Sequence, residues 1–161
     1  QDYMRFNVAT TFTRAAEEAL IDVESSIHVG ARGPTNDSGV FNHTRDVGYG
    51  LIDGTELFNA GLRNTAKNIV ESLKGRSVYL CFDMDFFDPS CAPGVCTPTW
   101  GGATSREGLD FLQNLSGLNL VGADIYTVSP PHDISGMTAF LAATVGLEIL
   151  SVICHSKGLV E

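Results

Sequence analysis

With 161 residues, 43% of them hydrophobic and 18% charged, the chain has the composition of one folded domain with its own core, and a disordered or low-complexity polymer is excluded. Ten Lys+Arg against 19 Asp+Glu leave a formal net charge of −9, which disfavours nucleic acid and anionic membrane as partners and tolerates a cationic substrate. The longest apolar region, residues 137–153, is interrupted by Thr138, Thr144, Gly146, Glu148 and Ser151, so no membrane span is expected, nor a signal peptide at the start.

Residues 11–21 set Ala15, Ala16, Ala19 and Leu20 among Arg14, Glu17 and Glu18, the spacing of an amphipathic helix. Residues 26–30 read as a short strand, stopped by the breaker Gly30-Ala31-Arg32-Gly33-Pro34. The polar stretch 35–50 is expected to be irregular. A helix over 54–74 and a strand over 78–82 follow. Residues 83–102 hold three prolines and three glycines, the composition of a site-bearing loop. Thr104 caps a helix running to residue 115, with Glu107 completing a capping box. A strand over 120–124 and a long helix over 135–153 close the order. Strands alternating with helices predict parallel β-α units in a three-layer α/β/α fold with a mainly parallel sheet, one domain over residues 1–161.

The chemistry concentrates in Val78-Tyr79-Leu80-Cys81-Phe82-Asp83-Met84-Asp85-Phe86-Phe87-Asp88-Pro89. If the strand continues, its period of two turns Asp83 and Asp85 to one side and Met84 to the other. Two like charges so placed repel unless a cation lies between them, and hard oxygen ligands suit Mn²⁺ or Mg²⁺. The competing reading is a pair of solvated loop carboxylates. The uncharged run from Ser77 to Phe82 favours the metal, because open parallel sheets carry ligands beyond the carboxyl ends of their strands. Asp124 ends a second strand and serves either to orient a ligand from behind or as a turn carboxylate.

Cys81 is expected to be a buried small hydrophobe, and the default for Cys91, Cys96 and Cys154 is reduced thiols in a cytoplasmic protein, with a Cys91–Cys96 disulfide as the alternative. His28, between Ile27 and Val29, reads as a packed core residue; His43 reads equally as a pocket-lining or a surface residue; His132, after two prolines, is a candidate at the pocket edge. His155 reads as solvated, Trp100 as a core aromatic or pocket wall, and Arg106 and Glu107 as parts of a helix start.

The run from Cys81 to Pro89, followed by Ala92-Pro93-Gly94-Val95-Cys96-Thr97-Pro98 and Gly101-Gly102-Ala103-Thr104-Ser105-Arg106-Glu107, resembles a signature of the ureohydrolases, nearer their agmatinase-like branch than arginase itself. Ile27-His28-Val29-Gly30-Ala31-Arg32-Gly33, the run from Val121 to Asp133, and Ser135-Gly136-Met137-Thr138-Ala139 are similar to neighbouring segments of that branch, so the resemblance covers nearly the whole chain. It implies an arginase-like fold, incomplete at the N-terminus, of which this chain is the C-terminal half. It also implies a binuclear Mn²⁺ centre, with Ni²⁺ as the other choice, and hydrolysis of a guanidino C–N bond to urea by a metal-bridging hydroxide. Asp83 and Asp85 carry over as metal ligands. A small guanidino substrate, a cytoplasmic location and a trimer or hexamer are implied in the same way, without nucleic acid or membrane.

The chain also departs from the family. The upstream Gly-Gly-Asp-His and Asp-Ala-His-x-Asp segments are absent, leaving two of the expected ligands. Asn7 stands where a His proton shuttle belongs, and Asn cannot titrate. Thr127 stands where a carboxylate pairs with guanidinium, and losing a desolvated charge-assisted contact costs about 2 to 5 kcal/mol. Asn7, Thr127 and His132 are therefore the candidate substrate-binding positions. Two functions follow: an agmatinase-like hydrolase with a shifted guanidine substrate, or a catalytically impaired homologue serving as a structural or regulatory subunit beside an active relative. A metal-dependent glycosyltransferase fits the Asp-x-Asp pair but not the Pro-Gly-rich sequel.

Overall fold

A computed structural model describes residues 5–34 and 39–159, so residues 35–38 of the polar stretch lie outside the described residues. The chain divides into two compact units, residues 1–53 and 54–161.

In the first unit, α1 spans Thr11–Glu17, shorter than the pattern predicts. Its end is set by backbone: Ala19 turns to a φ of 51°, which a helix cannot continue through. Strand β1, Ile27–Ala31, pairs in parallel with β2, Gly50–Asp53, in a register running from Ile27 opposite Gly50 to Ala31 opposite Asp53. Between them α2, Val40–Val47, lies in the stretch expected to be irregular. That helix has apolar side chains only at Val40, Phe41 and Val47, too few to announce a period. His28 is packed as expected, edge-on to Phe12 and Tyr49 at centroid separations of 5.6 and 5.0 Å, and burial lowers its pKa. The Tyr49 hydroxyl donates to the Phe12 carbonyl at 2.8 Å, tying the residue before β2 to α1.

In the second unit the predicted helix over 54–74 is two helices, α3, Gly54–Ala60, and α4, Leu62–Ser72. Gly61 separates them at φ 84°, a conformation closed to most side chains. Strand β3, Ser77–Asp83, pairs in parallel with β4, Asn119–Tyr126, so both strands are longer than predicted and Asp124 lies inside β4 rather than at its end. α5, Ser105–Gln113, begins with the capping box read from the sequence: Glu107 N–H donates to the Thr104 hydroxyl at 3.2 Å and Thr104 N–H to Glu107 Oε2 at 2.8 Å. The last helix, α6, is Met137–Ser156.

As expected of the fold class, the strands pair in parallel, and among the described residues they form two pairs, β1–β2 and β3–β4. The core of the second unit is apolar and continuous: Phe82, Met84, Phe87, Phe111, Leu112, Leu120, Val145, Ile149 and Val152 are all buried. The sequence reading of the last helix needs correction. Residues 134–156 are long and apolar enough to cross a membrane, with a mean hydropathy of 2.0 over an 18-residue window, because Thr and Ser interrupt an apolar helix only weakly. A core helix meets the same test, and Thr138, Val145, Ile149 and Val152 are buried, while Phe140, Leu147 and Leu150 are exposed.

Close packing of α5 on the strand end depends on Gly108, where an added Cβ would lie 2.2 Å from Cε1 of the fully buried Phe87. Overpacking of this kind costs about 1 to 3 kcal/mol. Gly108→Ala should therefore lower the urea midpoint at an unchanged m-value, whereas an unshifted midpoint would show that Phe87 has room to yield.

Candidate metal centre

Strand β3 delivers Asp83 at its last position, and the chain then turns instead of continuing as a strand. Asp83 Oδ1 accepts the backbone N–H of Asp85 at 2.8 Å, and Met84–Phe86 forms one turn of 3₁₀ helix. A short acidic side chain that captures an N–H two residues on competes with a strand ladder, and here it wins. The expected period-two pincer is thus replaced by a turn: Met84 goes into the core with no exposed surface, the Asp83 carboxylate is tied to the Asp85 backbone, and the Asp85 charge is near enough to act on it.

Beneath the turn, Phe82, Phe86, Phe87 and Phe111 form an aromatic cluster with centroid separations of 5.7 to 6.0 Å. This apolar floor has an electrostatic consequence. Burial pushes the Asp83 carboxyl above the usual carboxylate range, opposed by hydrogen bonds from Thr127 and the Asp85 N–H and reinforced by the nearby Asp85 charge. A cation placed at the pair would relieve both the desolvation and the repulsion.

Each carboxylate also meets a threonine. The Thr127 hydroxyl lies 2.5 Å from Asp83 Oδ1, and the Thr97 hydroxyl bonds to Asp85 Oδ2. The two threonines come from segments zipped together: Cys96 N–H donates to the Thr127 carbonyl at 2.9 Å, Ser129 N–H to the Gly94 carbonyl at 2.8 Å, and Val95 and Val128 form an antiparallel bridge. Gly94 N–H in turn donates to the buried Thr138 hydroxyl at 2.9 Å. Asp133 accepts the N–H groups of Thr138 and Ala139, both at 2.9 Å; its partial desolvation is outweighed by these bonds, and its pKa is lowered.

Asp88 closes the other side of the loop, accepting N–H bonds from Ser90, Gly101 and Gly102 at 2.9, 2.9 and 3.3 Å. Bonds from Ser90, then from the two glycines, hold its carboxyl down at about 2.

The remaining candidates are placed as follows. Asp124 sits opposite Cys81 in the β3–β4 register, and its Oδ2 accepts from the Tyr79 hydroxyl at 3.1 Å and the Cys81 thiol at 3.5 Å. Burial, then the Asp124 charge, pushes the Cys81 thiol up to about 11, so it is no thiolate nucleophile at neutral pH. His132 lies in the 3₁₀ turn Pro130–His132, where Nδ1 shares a 2.8 Å hydrogen bond with the Ser129 hydroxyl. Asn7 belongs to the first unit, exposed in a turn where its Oδ1 accepts the Ala9 N–H at 2.9 Å. The cysteines are free, so Cys91 and Cys96 form no disulfide.

Among the described residues no group of three or more His, Cys, Asp or Glu side chains comes together to hold a metal ion. Asp83 and Asp85 fit a hard divalent cation in kind and would supply two of its ligands. Sequence reasoning missed Thr97, Asp88 and Asp133. Asp88 carries the local signal Asp-Pro-Ser, whereas Thr97 is recognisable only once the loop is closed.

Residues 1–151 match the family profile described as the arginase family, and the chain belongs to that family. It is 36% identical to a guanidinobutyrase of Pseudomonas aeruginosa over 89% of its own length and 45% of that protein's. With an agmatinase of Photorhabdus laumondii it shares 36% identity, over 95% of this chain and 47% of the other. The crystal structure of a hypothetical agmatinase from Burkholderia thailandensis superposes with a TM-score of 0.82 at 36% identity, over 94% of this chain and 46% of that one. The fold is therefore arginase-like, and the chain spans about half the length of the relatives it matches.

The lowered Asp88 pKa fixes the sign of an acid effect. Folded Asp88 titrates near 2 against an ordinary 3.8, so it contributes stability above about pH 4 that disappears as pH falls through 2. Asp88→Asn should flatten this part of the acid-unfolding curve and reduce stability at pH 7. Superimposable wild-type and variant curves from pH 5 to pH 2 would remove Asp88 as the loop's anchor.

Proposed function

We propose that this chain carries part of the metal centre of a hydrolase that cleaves a guanidino C–N bond and releases urea, with Mn²⁺ the expected ion and Ni²⁺ the alternative. The observation that carries the reading is the Asp83–Asp85 pair, two carboxylates held together over an aromatic floor at the end of a parallel strand. Membership of the arginase family and relatives named guanidinobutyrase and agmatinase support the same chemistry. A divalent pair at such a site supplies a water-derived nucleophile near neutral pH.

The chain's own groups do the positioning. Asp83 and Asp85 present hard oxygens, and the Asp83 turn keeps their relative orientation fixed. Thr97 and Thr127 stand against the two carboxylates, each with its hydroxyl bonded to one of them. At position 127 a hydroxyl replaces the carboxylate implied by the family resemblance, so a bidentate, charge-assisted grip on a guanidinium is absent there. This favours a substituted or neutral guanidine, or one whose charge is balanced by its own acid group.

The direct test measures metal per chain and urea release from agmatine, guanidinobutyrate and guanidinopropionate with Mn²⁺ or Ni²⁺. Asp83→Asn and Asp85→Asn should each reduce urea release by roughly a hundredfold and lower the bound metal. Metal-free protein, or variants as active as wild type, would defeat the proposal. Stoichiometric metal without turnover, together with recovery of an active relative in the same particle, would favour a structural or regulatory subunit, a reading that Asn7 and Thr127 support.

A further inference from the structure

Thr127 is a β-branched residue at φ 71°, the left-handed region that such side chains avoid. Its surroundings impose this conformation. The Thr127 carbonyl takes the Cys96 N–H, Val128 bridges to Val95, and Ser129 N–H reaches the Gly94 carbonyl, so the backbone on both sides is committed to the 94–96 segment. The strained residue delivers one thing, a hydroxyl 2.5 Å from Asp83 Oδ1. A threonine hydroxyl has a single proton, and the other acceptor within reach is the Tyr126 carbonyl at 2.6 Å. Both acceptors belong to the protein, so the hydroxyl proton is directed inward.

Resting on the metal reading above, we infer that Thr127 is a positioning residue for the ligand Asp83 and not a contact to the guanidino group. Oδ1 takes two donors, one local and one distant in sequence, the Asp85 N–H at 2.8 Å and the Thr127 hydroxyl, and together they fix the rotation of the carboxylate. A ligand whose rotation is fixed before the cation arrives loses less freedom on binding it, and bonds to a ligating carboxylate tune affinity by about 10- to 100-fold in metal sites generally. The left-handed backbone is the means by which β4, which ends at Tyr126, brings a hydroxyl back over the end of β3.

The test is Mn²⁺ affinity, followed by loss of the free-ion electron paramagnetic resonance signal on titrating the intact protein, beside thermal melting. Thr127→Val keeps the shape and removes the hydroxyl, and should raise the Mn²⁺ Kd about tenfold. Thr127→Ser restores the donor and should return the Kd to within about twofold of wild type. Thr127→Gly suits the left-handed backbone but lacks the donor, so it should melt no lower than wild type while binding Mn²⁺ as weakly as the valine variant. If the valine variant fails to fold, the serine and glycine variants carry the comparison. Unchanged Mn²⁺ affinity in Thr127→Val or Thr127→Gly, with or without an altered KM, overturns the positioning role and leaves the metal reading intact. Failure of Thr127→Ser to rescue also overturns it. Wild-type protein that takes up no Mn²⁺, or takes up as much after Asp83→Asn, overturns the metal reading and this inference with it.

Discussion

The second unit is organised around one hydrogen bond, from the Asp85 N–H to Asp83 Oδ1. It ends β3, starts the 3₁₀ turn, sends Met84 into the core and leaves two carboxylates adjacent above four phenylalanine rings. Without that bond the strand would run on, and alternation would carry the same side chains into different surroundings. The cost is a desolvated carboxylate, visible in the raised pKa of Asp83. Structures tolerate such a group when hydrogen bonds or a cation answer its charge, and this one has two donors on one oxygen, one from the adjoining turn and one from beyond β4.

Around this bond the loop 87–104 is held by its own polar groups. Asp88 gathers three N–H groups on one side, and Asp133 and Thr138 fasten Gly94 to the start of α6 on the other. The approach at Gly94 is so close that a Cβ there would meet Asp133 Cα at 2.5 Å. A Pro- and Gly-rich loop thereby gains a defined shape without a core of its own, as a site on a loop needs if it is to hold a geometry.

Features written in neighbouring residues were legible from sequence: the Thr104–Glu107 capping box, the parallel pairing implied by β-α alternation, and the acidic cluster after Phe82. Features decided by distant contacts were not. Helix α2 hides in a polar stretch, β4 continues two residues past Asp124 because Ile125 and Tyr126 still face Phe82 and Asp83, and Thr127 meets Asp83 across 44 positions of sequence. The Asp83–Asp85 pairing was anticipated for the wrong reason, since strand period and acidic turn both bring the two together. Only the structure shows that the turn is the cause.

Position 127 carries a hydroxyl where the family resemblance implies a carboxylate, and the difference has a sign that can be followed. A third anion beside Asp83 and Asp85 would deepen the negative potential that attracts a guanidinium, and would also raise the repulsion already acting on Asp83. A hydroxyl does the reverse: it donates to Asp83, offsets part of its charge and adds none. Metal binding as proposed would thus be eased at the expense of a grip on a cationic substrate. On the proposed function, a centre with this residue would hold its ion yet have little means of selecting a guanidine by charge alone, and discrimination among substrates would have to come from contacts to the remainder of the guanidine, beyond its reacting carbon.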